Sequence, residues 1–297
     1  MSFSGETKQE LCRIPVNRTC CAKAELYGIL LYCNTFSTME IRIITESEPL
    51  AQRLPKLLLR AFGMLFDRLP ACGEQKYIFQ MTDQTKIAAI FDGLGFDPRQ
   101  SPVLHINFGL LEEECCRSAF LRGVFLSGGS VTEPSKRYHL ELVTSHTYVG
   151  HELQALLMDM GHSPRQVMRS GYFVTYFKSS DQIADFLTAM GSPLSAMKMI
   201  NTKLEKGLRN DVNRRVNCES ANLDKAVEAS LEQLEAIRHL YELGRVEDLP
   251  VQLKETIILR ETYPELTLSQ LAEEFDPPIT KSCLNHRLRK LVELSKH

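Results

Sequence analysis

The sequence predicts an α+β protein in which a duplicated αββαββα unit with antiparallel sheets precedes an all-α helix-turn-helix domain. Two observations support this prediction. The string CCAKAELYGILL shares six of its twelve positions with CCRSAFLRGVFL, which begins 95 residues later. Near the C-terminus, two short amphipathic segments flank a pair of prolines. The first observation indicates an internal duplication, and the second indicates two short helices joined by a tight turn.

Composition places the chain among ordinary folded proteins. It has 297 residues, of which 43% are hydrophobic and 24% charged, enough for two or three domains with a real core. The polar start argues against a signal peptide, and no apolar run is long enough to predict a membrane span. Nine cysteines without any CxxC spacing fit a reducing compartment. We therefore expect a cytoplasmic protein without membrane contact.

The cysteines include two adjacent pairs, Cys20-Cys21 and Cys115-Cys116, each at the start of a predicted helix. Adjacent cysteines in this position are interpreted as small buried or capping residues rather than as zinc ligands or disulfides. Similarly, His151-Glu152 lacks the second histidine of a zinc-protease helix, because Ala155 stands in its place. The sequence thus predicts neither a metal site nor a cofactor.

Each repeat is predicted to form a helix, two strands, a helix, two strands and a closing helix. In the second copy these are a helix from Glu114, hairpins over 130–144 and 166–177 that flank a helix over 147–160, and a helix over 181–190. Alternation of polar and apolar residues predicts the strands, and each copy should contain a four-stranded antiparallel sheet. The predicted order is an N-terminal helix (1–19), a first repeat (20–111), a second repeat (112–196), a basic linker (197–225) and a helical domain (226–297).

Two glycines occupy matched positions inside the first helix of each repeat. Gly28 and Gly123 each cost roughly 1 kcal/mol relative to alanine in a helix interior. A bend could explain one of them, but matched copies indicate a place where two helix backbones approach closely. Both are predicted to be helix-packing residues.

The linker carries a net charge of +3. It is interpreted either as a solvated linker helix or as a second phosphate-contacting surface formed by Arg209, Arg214 and Arg215. After it, Leu223 is predicted to begin a long helix whose apolar residues, from Val227 to Leu240, pack in the core of the C-terminal domain.

The helix-turn-helix is predicted at about 267–291. Thr267 and Gln270 have the spacing of a capping box, Pro277 and Pro278 end the first helix, and Thr280 can cap the second. Residues 279–297 carry a net charge of +4, whereas residues 250–278 carry −4. Positive charge on the second helix favours contact with phosphates, and Asn285 and Arg289 suit adenine and guanine edges. The predicted DNA-contacting residues are Thr280, Lys281, Ser282, Asn285, His286, Arg287, Arg289 and Lys290. An ordinary amphipathic helix with a solvated basic face is the alternative.

The stretch LRGVFLSGGSV, from Leu121 to Val131, resembles the LAGLIDADG motif of homing endonucleases, and Leu26 to Asn34 is a weaker second copy. The resemblance implies two motif helices packed at a pseudo-twofold axis. In the catalytic family the eighth motif position is an acid that binds the metal, but here it is Cys33 in one copy and Gly128 in the other. Without these carboxylates the hard cations needed for phosphoryl transfer have no ligands, so the chain is not expected to be an enzyme.

The whole chain resembles the WhiA family of bacterial regulators, through strings such as NRRVNCESANLDK and PPITKSCLNHRLRKL. The resemblance implies a sequence-specific transcriptional regulator that binds double-stranded DNA and is linked to cell division, chromosome segregation and sporulation. The homing-endonuclease-like domain would then be a scaffold, an auxiliary DNA-binding saddle or an interaction surface for another regulatory protein. Its nearly neutral charge favours the contact with protein over the one with phosphates. Two alternatives remain open at this point: a residual metal-dependent endonuclease, and a protein-interaction adaptor that does not bind DNA.

Overall fold

The computed structural model describes residues 2–70, 76–97 and 103–296, and the chain divides into two compact units, Met1–Lys206 and Gly207–His297. The first unit begins with a helix capped by Ser2, whose hydroxyl accepts a hydrogen bond from the Gly5 backbone N–H. The first repeat follows it. In order, these elements are α1 (Phe3–Cys12), α2 (Thr19–Leu31), β1 (Thr35–Phe36), β2 (Ile41–Thr45), α3 (Glu48–Phe62), β3 (Tyr77–Met81) and α4 (Gln84–Gly93).

The second repeat has the predicted order of elements. Its sheet is antiparallel throughout, and its second hairpin turns at Ser170 and Gly171, both with positive φ as a tight two-residue turn requires. The elements are α5 (Glu114–Gly128), β4 (Gly129–Val131), β5 (Leu140–Thr144), α6 (Thr147–Asp159), β6 (Arg165–Arg169), β7 (Tyr172–Phe177) and α7 (Ser180–Ala189), with strand order β4-β5-β7-β6. The predicted α+β class is confirmed.

The first repeat departs from the expected four strands. Among the described residues its sheet has three, in the order β1-β2-β3. Where the fourth was expected, Arg68 makes a single bridge to Gln80 of β3. Pro70 follows closely and has no N–H to donate to a continued ladder. Residues 71–75, between this bridge and β3, lie outside the described residues.

The two repeats share one core, centred on α2 and α5. A Cβ added at Gly28 would lie 2.8 Å from the Val124 backbone nitrogen, and one added at Gly123 would lie 3.0 Å from that of Ile29. The two backbones are therefore in direct contact at the matched glycines. Next to this crossing, the buried Glu25 carboxylate accepts hydrogen bonds from Arg53, at 2.8 Å, and from Arg122 of the other repeat, at 3.0 Å.

The helix that was predicted to begin at Leu223 begins much earlier in the structure. A single helix, α8, runs over 50 residues (Pro193–Glu242), so the predicted basic linker is itself helical. Val227 and Leu231, predicted to be core residues, are more than half exposed, whereas Ile237 and Leu240 near its end are fully buried. The linker contains no proline and only one glycine, so nothing in it interrupts the helix.

The C-terminal unit is helical. After α8 come α9 (Val251–Thr262), α10 (Leu268–Glu273) and α11 (Lys281–Ser295). Their core contains Leu253 and Ile257 of α9, Leu271 of α10 and Leu288 of α11, packed against the end of α8. Among the described residues, no helix combines the length and the apolar composition needed to cross a membrane.

Candidate functional site

The helix-turn-helix is formed by α10 and α11. At the start of α10, Thr267 and Gln270 form the predicted capping box, in which each residue's side chain pairs with the other's backbone N–H. The turn closes where the Ile279 N–H donates to the Ala272 carbonyl at 3.0 Å. Thr280 then caps α11, and its hydroxyl accepts from the Cys283 N–H at 3.2 Å. Thr280 therefore defines the start of α11, and its hydroxyl already has a partner.

The two faces of α11 differ sharply. Leu284, Leu288 and Leu291 are at most 1% exposed and anchor the helix in the core. Lys281, Asn285 and Arg289 follow one another at four-residue intervals on another side, where Lys281 and Arg289 are exposed and Asn285 is half-buried. Further exposed residues complete this outer face: Ser282, His286, Lys290 and the acid Glu293.

Arg287 is set apart from the other predicted contacts. Its side chain is only 14% exposed, and its guanidinium lies 3.7 Å from a Glu255 carboxylate oxygen and 5.4 Å from the centre of the Phe275 ring. It also donates to the Gln252 carbonyl at 3.4 Å. These contacts tie α11 to α9, so we expect Arg287 to stabilise the domain rather than to contact a phosphate.

A buried arginine, Arg260, supports the loop before α10. Arg260 is 2% exposed and donates to the Leu266 carbonyl at 2.8 Å. Burial lowers the pKa of this guanidinium, although the Glu265 carboxylate acts in the opposite direction. Ser230 of α8 fixes the same loop by donating to the Pro264 carbonyl at 2.7 Å. The position of α10 is therefore set by hydrogen bonds as well as by packing.

Arg209, Arg214 and Arg215 are exposed on α8. A helix turns by about 100° per residue, which places Arg214 about 140° and Arg215 about 240° around the axis from Arg209. The three guanidinium groups therefore leave the helix on different sides and cannot all face one duplex. This geometry favours the solvated-helix interpretation over a second phosphate-binding surface.

The two motif positions at which the catalytic homing endonucleases carry an acid, here Cys33 and Gly128, lie at the C-terminal ends of α2 and α5. The Cys33 thiol donates to the Thr35 carbonyl at 3.2 Å. A Cβ at Gly128 would lie 2.7 Å from the Val143 carbonyl oxygen and would also press on the Tyr32 ring. Position 128 therefore has no room for a carboxylate side chain unless its neighbours move.

At the opposite ends of the same helices, four cysteines come together. Their sulfur atoms all lie within 4.8 Å of one another. Among the described residues, this is the one group of three or more His, Cys, Asp or Glu side chains that could hold a metal ion. Burial raises the pKa of the Cys21 thiol to about 11. The pKa of Cys115 is lowered by a hydrogen bond from Cys21 and by one from Arg18. The members of this group, the cysteine quartet, are Cys20, Cys21, Cys115 and Cys116.

The sequence did not lead us to predict that the two cysteine pairs meet. The signal was present, because each pair begins eight residues before the helix glycine of its own repeat. Because the two helices contact each other at those glycines, the matched spacing places both cysteine pairs at the same height along the helix pair.

Comparisons with known families match both parts of the chain. Residues 117–209 match the family model described as the WhiA LAGLIDADG-like domain, and residues 212–295 match that of the WhiA C-terminal HTH domain. A protein of Alkaliphilus metalliredigens named as a probable cell division protein WhiA is 34% identical, with 99% of this chain and 98% of the relative covered. A protein of the same name from Ruminiclostridium cellulolyticum is 35% identical, with 100% and 97% covered.

Solved structures show the same fold. The crystal structure of full-length WhiA from Thermotoga maritima has a TM-score of 0.62 and 23% identity, covering 100% of this chain and 98% of that one. The N-terminal LAGLIDADG domain of WhiA matches with a TM-score of 0.51 and 21% identity, over 64% of this chain and 90% of that one. At these identities, both similarities show that the chain shares the fold of these proteins.

Proposed function

Because the chain belongs to the WhiA family, we propose that it is a regulator that binds double-stranded DNA by inserting α11 into the major groove. The observation that carries this proposal is the outer face of α11, where Lys281, Asn285 and Arg289 lie at four-residue intervals. The side chains of these three residues make no hydrogen bond or ion pair with the described part of the chain. In a helix-turn-helix, the second helix enters the groove and its N-terminal residues contact base edges.

The charges support docking through α11 rather than through its neighbours. Residues 279–297 carry +4, whereas 250–278, which include α9 and α10, carry −4. A duplex attracts the first segment and repels the second, so the field orients the domain with α11 toward the phosphates. Lys281, Arg289 and Lys290 are the proposed phosphate or guanine contacts, and Asn285 is the proposed adenine contact. Thr280, Ser282 and His286 are proposed as further polar contacts.

Salt dependence of duplex affinity tests the docking mode. Replacing Lys281 or Arg289 by alanine should lower the slope of log K against log salt by about one unit for each phosphate that is no longer neutralised. Lys254→Ala is the matched control, because its ammonium group is already engaged by the Glu247 carbonyl. Equal slopes for all three variants and the original protein would favour the adaptor, whose basic helix never meets DNA.

Sequence specificity needs its own measurement. We propose that the protein selects chromosomal sites and acts on transcription, with the links to cell division, chromosome segregation and sporulation that the family resemblance implies, and that it is cytoplasmic and associated with the nucleoid. Binding a pool of chromosomal fragments should enrich a limited set. Asn285→Ala should reduce that enrichment while leaving affinity for random duplex almost unchanged, because an uncharged side chain contributes little to phosphate attraction. Uniform recovery of fragments by the unaltered protein would contradict site selection.

The homing-endonuclease-like unit is proposed to be non-catalytic, as a scaffold or a docking surface for another regulatory protein. Supporting this, the two motif positions hold a thiol and a glycine, and a side chain at Gly128 would collide with the Val143 carbonyl. Duplex DNA incubated with the protein and Mg²⁺ should remain intact. A specific cut that EDTA abolishes would instead establish the endonuclease alternative.

A further inference from the structure

The cysteine quartet lies at the N-terminal ends of α2 and α5. In α2 the cysteines directly follow the first helical residue, Thr19, and in α5 they directly follow Glu114. Cys20 and Cys21 have their sulfur atoms 4.0 Å apart, and all six pairs in the quartet are within 4.8 Å. Each repeat contributes two thiols, so the cluster exists only because the repeats are packed together.

These distances fit a single tetrahedral ion. Zinc binds thiolates at about 2.3 Å, which places the four sulfurs of a tetrahedral site roughly 3.8 Å apart. The sulfurs therefore need to move inward by no more than about 1 Å to reach this geometry. A set of four sulfur donors excludes Mg²⁺ and Ca²⁺, which take oxygen ligands, and is typical of zinc among single-ion sites.

Positive groups beside the quartet can offset the negative charge that four metal-bound thiolates carry. Both pairs are in the first turn of a helix, where the helix dipole stabilises negative charge. Arg18, the residue before α2, donates from its guanidinium to the Cys115 sulfur at 3.6 Å. Four thiolates and one Zn²⁺ leave a net charge of −2, which this arginine and the two helix ends offset.

An ion can reach the cluster from solvent. Cys20 is exposed and Cys116 is buried, so the quartet extends from the surface into the repeat interface. A surface groove lined by Thr19, Lys23, Glu112 and both of these cysteines opens beside it. The ion would thus enter through the groove and be held by ligands from both helices.

We propose that the cysteine quartet is a structural zinc site that clamps the first helices of the two repeats together. Binding displaces the thiol protons to solvent as the four sulfur–zinc bonds form, and no oxidation state changes. The clamp acts at the N-terminal ends of α2 and α5, about two helical turns before the contact at Gly28 and Gly123. It joins the repeats independently of any DNA contact.

Metal content tests the proposal directly. The full chain, purified with a reducing agent and without chelator, should contain about one zinc ion per molecule. After zinc removal, Co²⁺ should produce the intense visible bands of a tetrahedral cobalt–thiolate site. The double variant Cys20→Ser/Cys115→Ser should lose both signals. The double variant Cys218→Ser/Cys283→Ser, which alters two exposed cysteines outside the cluster, should keep them.

Two further measurements show whether misfolding of a variant or oxidation of the cysteines, rather than loss of a metal site, explains a missing metal signal. In the folded original protein, zinc removal should speed amide hydrogen exchange at the starts of α2 and α5 and leave α11 unaffected. Mass spectrometry without reductant should find the quartet free of disulfides when zinc is bound. The proposal is overturned by equal zinc in both double variants, by no cobalt spectrum in the original protein, or by stable disulfides between the pairs. Because α11 is in the other unit, the test of duplex binding and the tests of metal binding can each give a positive or a negative result independently of the other.

Discussion

The contact between α2 and α5 gives the sharpest prediction, because the same substitution should have opposite effects at two helix glycines. In Gly123→Ala the new methyl group would lie 2.9 Å from the Glu25 carbonyl carbon and 3.0 Å from the Ile29 nitrogen. Both are backbone atoms of the partner helix, so the clash is relieved only if the helices separate. In Gly207→Ala on α8, the new methyl group meets nothing within 4 Å.

Two opposing effects determine how much each substitution changes the free energy of unfolding. Alanine gains up to about 1 kcal/mol over glycine in a helix interior. Overpacking a rigid interface costs typically about 1 to 3 kcal/mol, and more where backbone must move. Because backbone must move at Gly123, the cost there lies at or above the upper end of this range, about 3 kcal/mol. After the alanine gain is subtracted, Gly123→Ala should lower the free energy of unfolding by about 2 kcal/mol or more, whereas Gly207→Ala should raise the stability of the helical segment by up to about 1 kcal/mol.

Urea unfolding followed by circular dichroism measures both effects, with hydrogen exchange assigning each to its segment. The two variants should move the unfolding midpoint in opposite directions. A Gly123→Ala protein as stable as the original would refute the close backbone contact on which the packing of the repeats depends.

Three more substitutions test the remaining contacts. Arg287→Ala should lower the thermal stability of the C-terminal unit yet leave the salt slope of duplex binding unchanged, the reverse of Arg289→Ala; a reduced slope for Arg287→Ala would show that it reaches a phosphate after all. Glu25→Ala should cost about 3 to 5 kcal/mol in a urea titration, because it leaves Arg53 buried without a counter-charge, and a loss below about 1 kcal/mol would argue against a paired network. Thr267→Ala should cost about 0.5 to 2 kcal/mol by removing the cap on α10, measured by thermal unfolding, whereas Thr267→Ser should cost little.

Local patterns in the sequence predicted much of the fold. The second repeat, the capping box at Thr267, the cap at Thr280 and the apolar face of α11 all depend on residues a few positions apart, and the structure contains each of them. The repeat itself predicted that the fold is duplicated. These features were accessible because helix caps, turns and two-residue alternation are local interactions.

Other features depended on distant parts of the chain. The sequence predicts a helix start at Leu223, but helical propensity continues unbroken from Pro193, and local polarity does not end a helix. Arg287 and Arg289 are equivalent in sequence, yet Arg287 packs on Phe275 and Glu255 of the domain. A fourth strand was expected in the first repeat because both copies should form the same sheet, but among the described residues Arg68 makes only a single bridge to β3 there.

The sequence by itself determined the duplicated α+β architecture, the helix-turn-helix and the basic character of its second helix, because each is encoded in short-range spacing or in charge. Tertiary structure decided which arginine of α11 packs against the domain and which residues of α8 are in the core. It also decided that four cysteines, interpreted separately as small packing residues, share one place. Burial and convergence are properties of the packed chain, since they arise only when segments about 95 residues apart meet at a common surface.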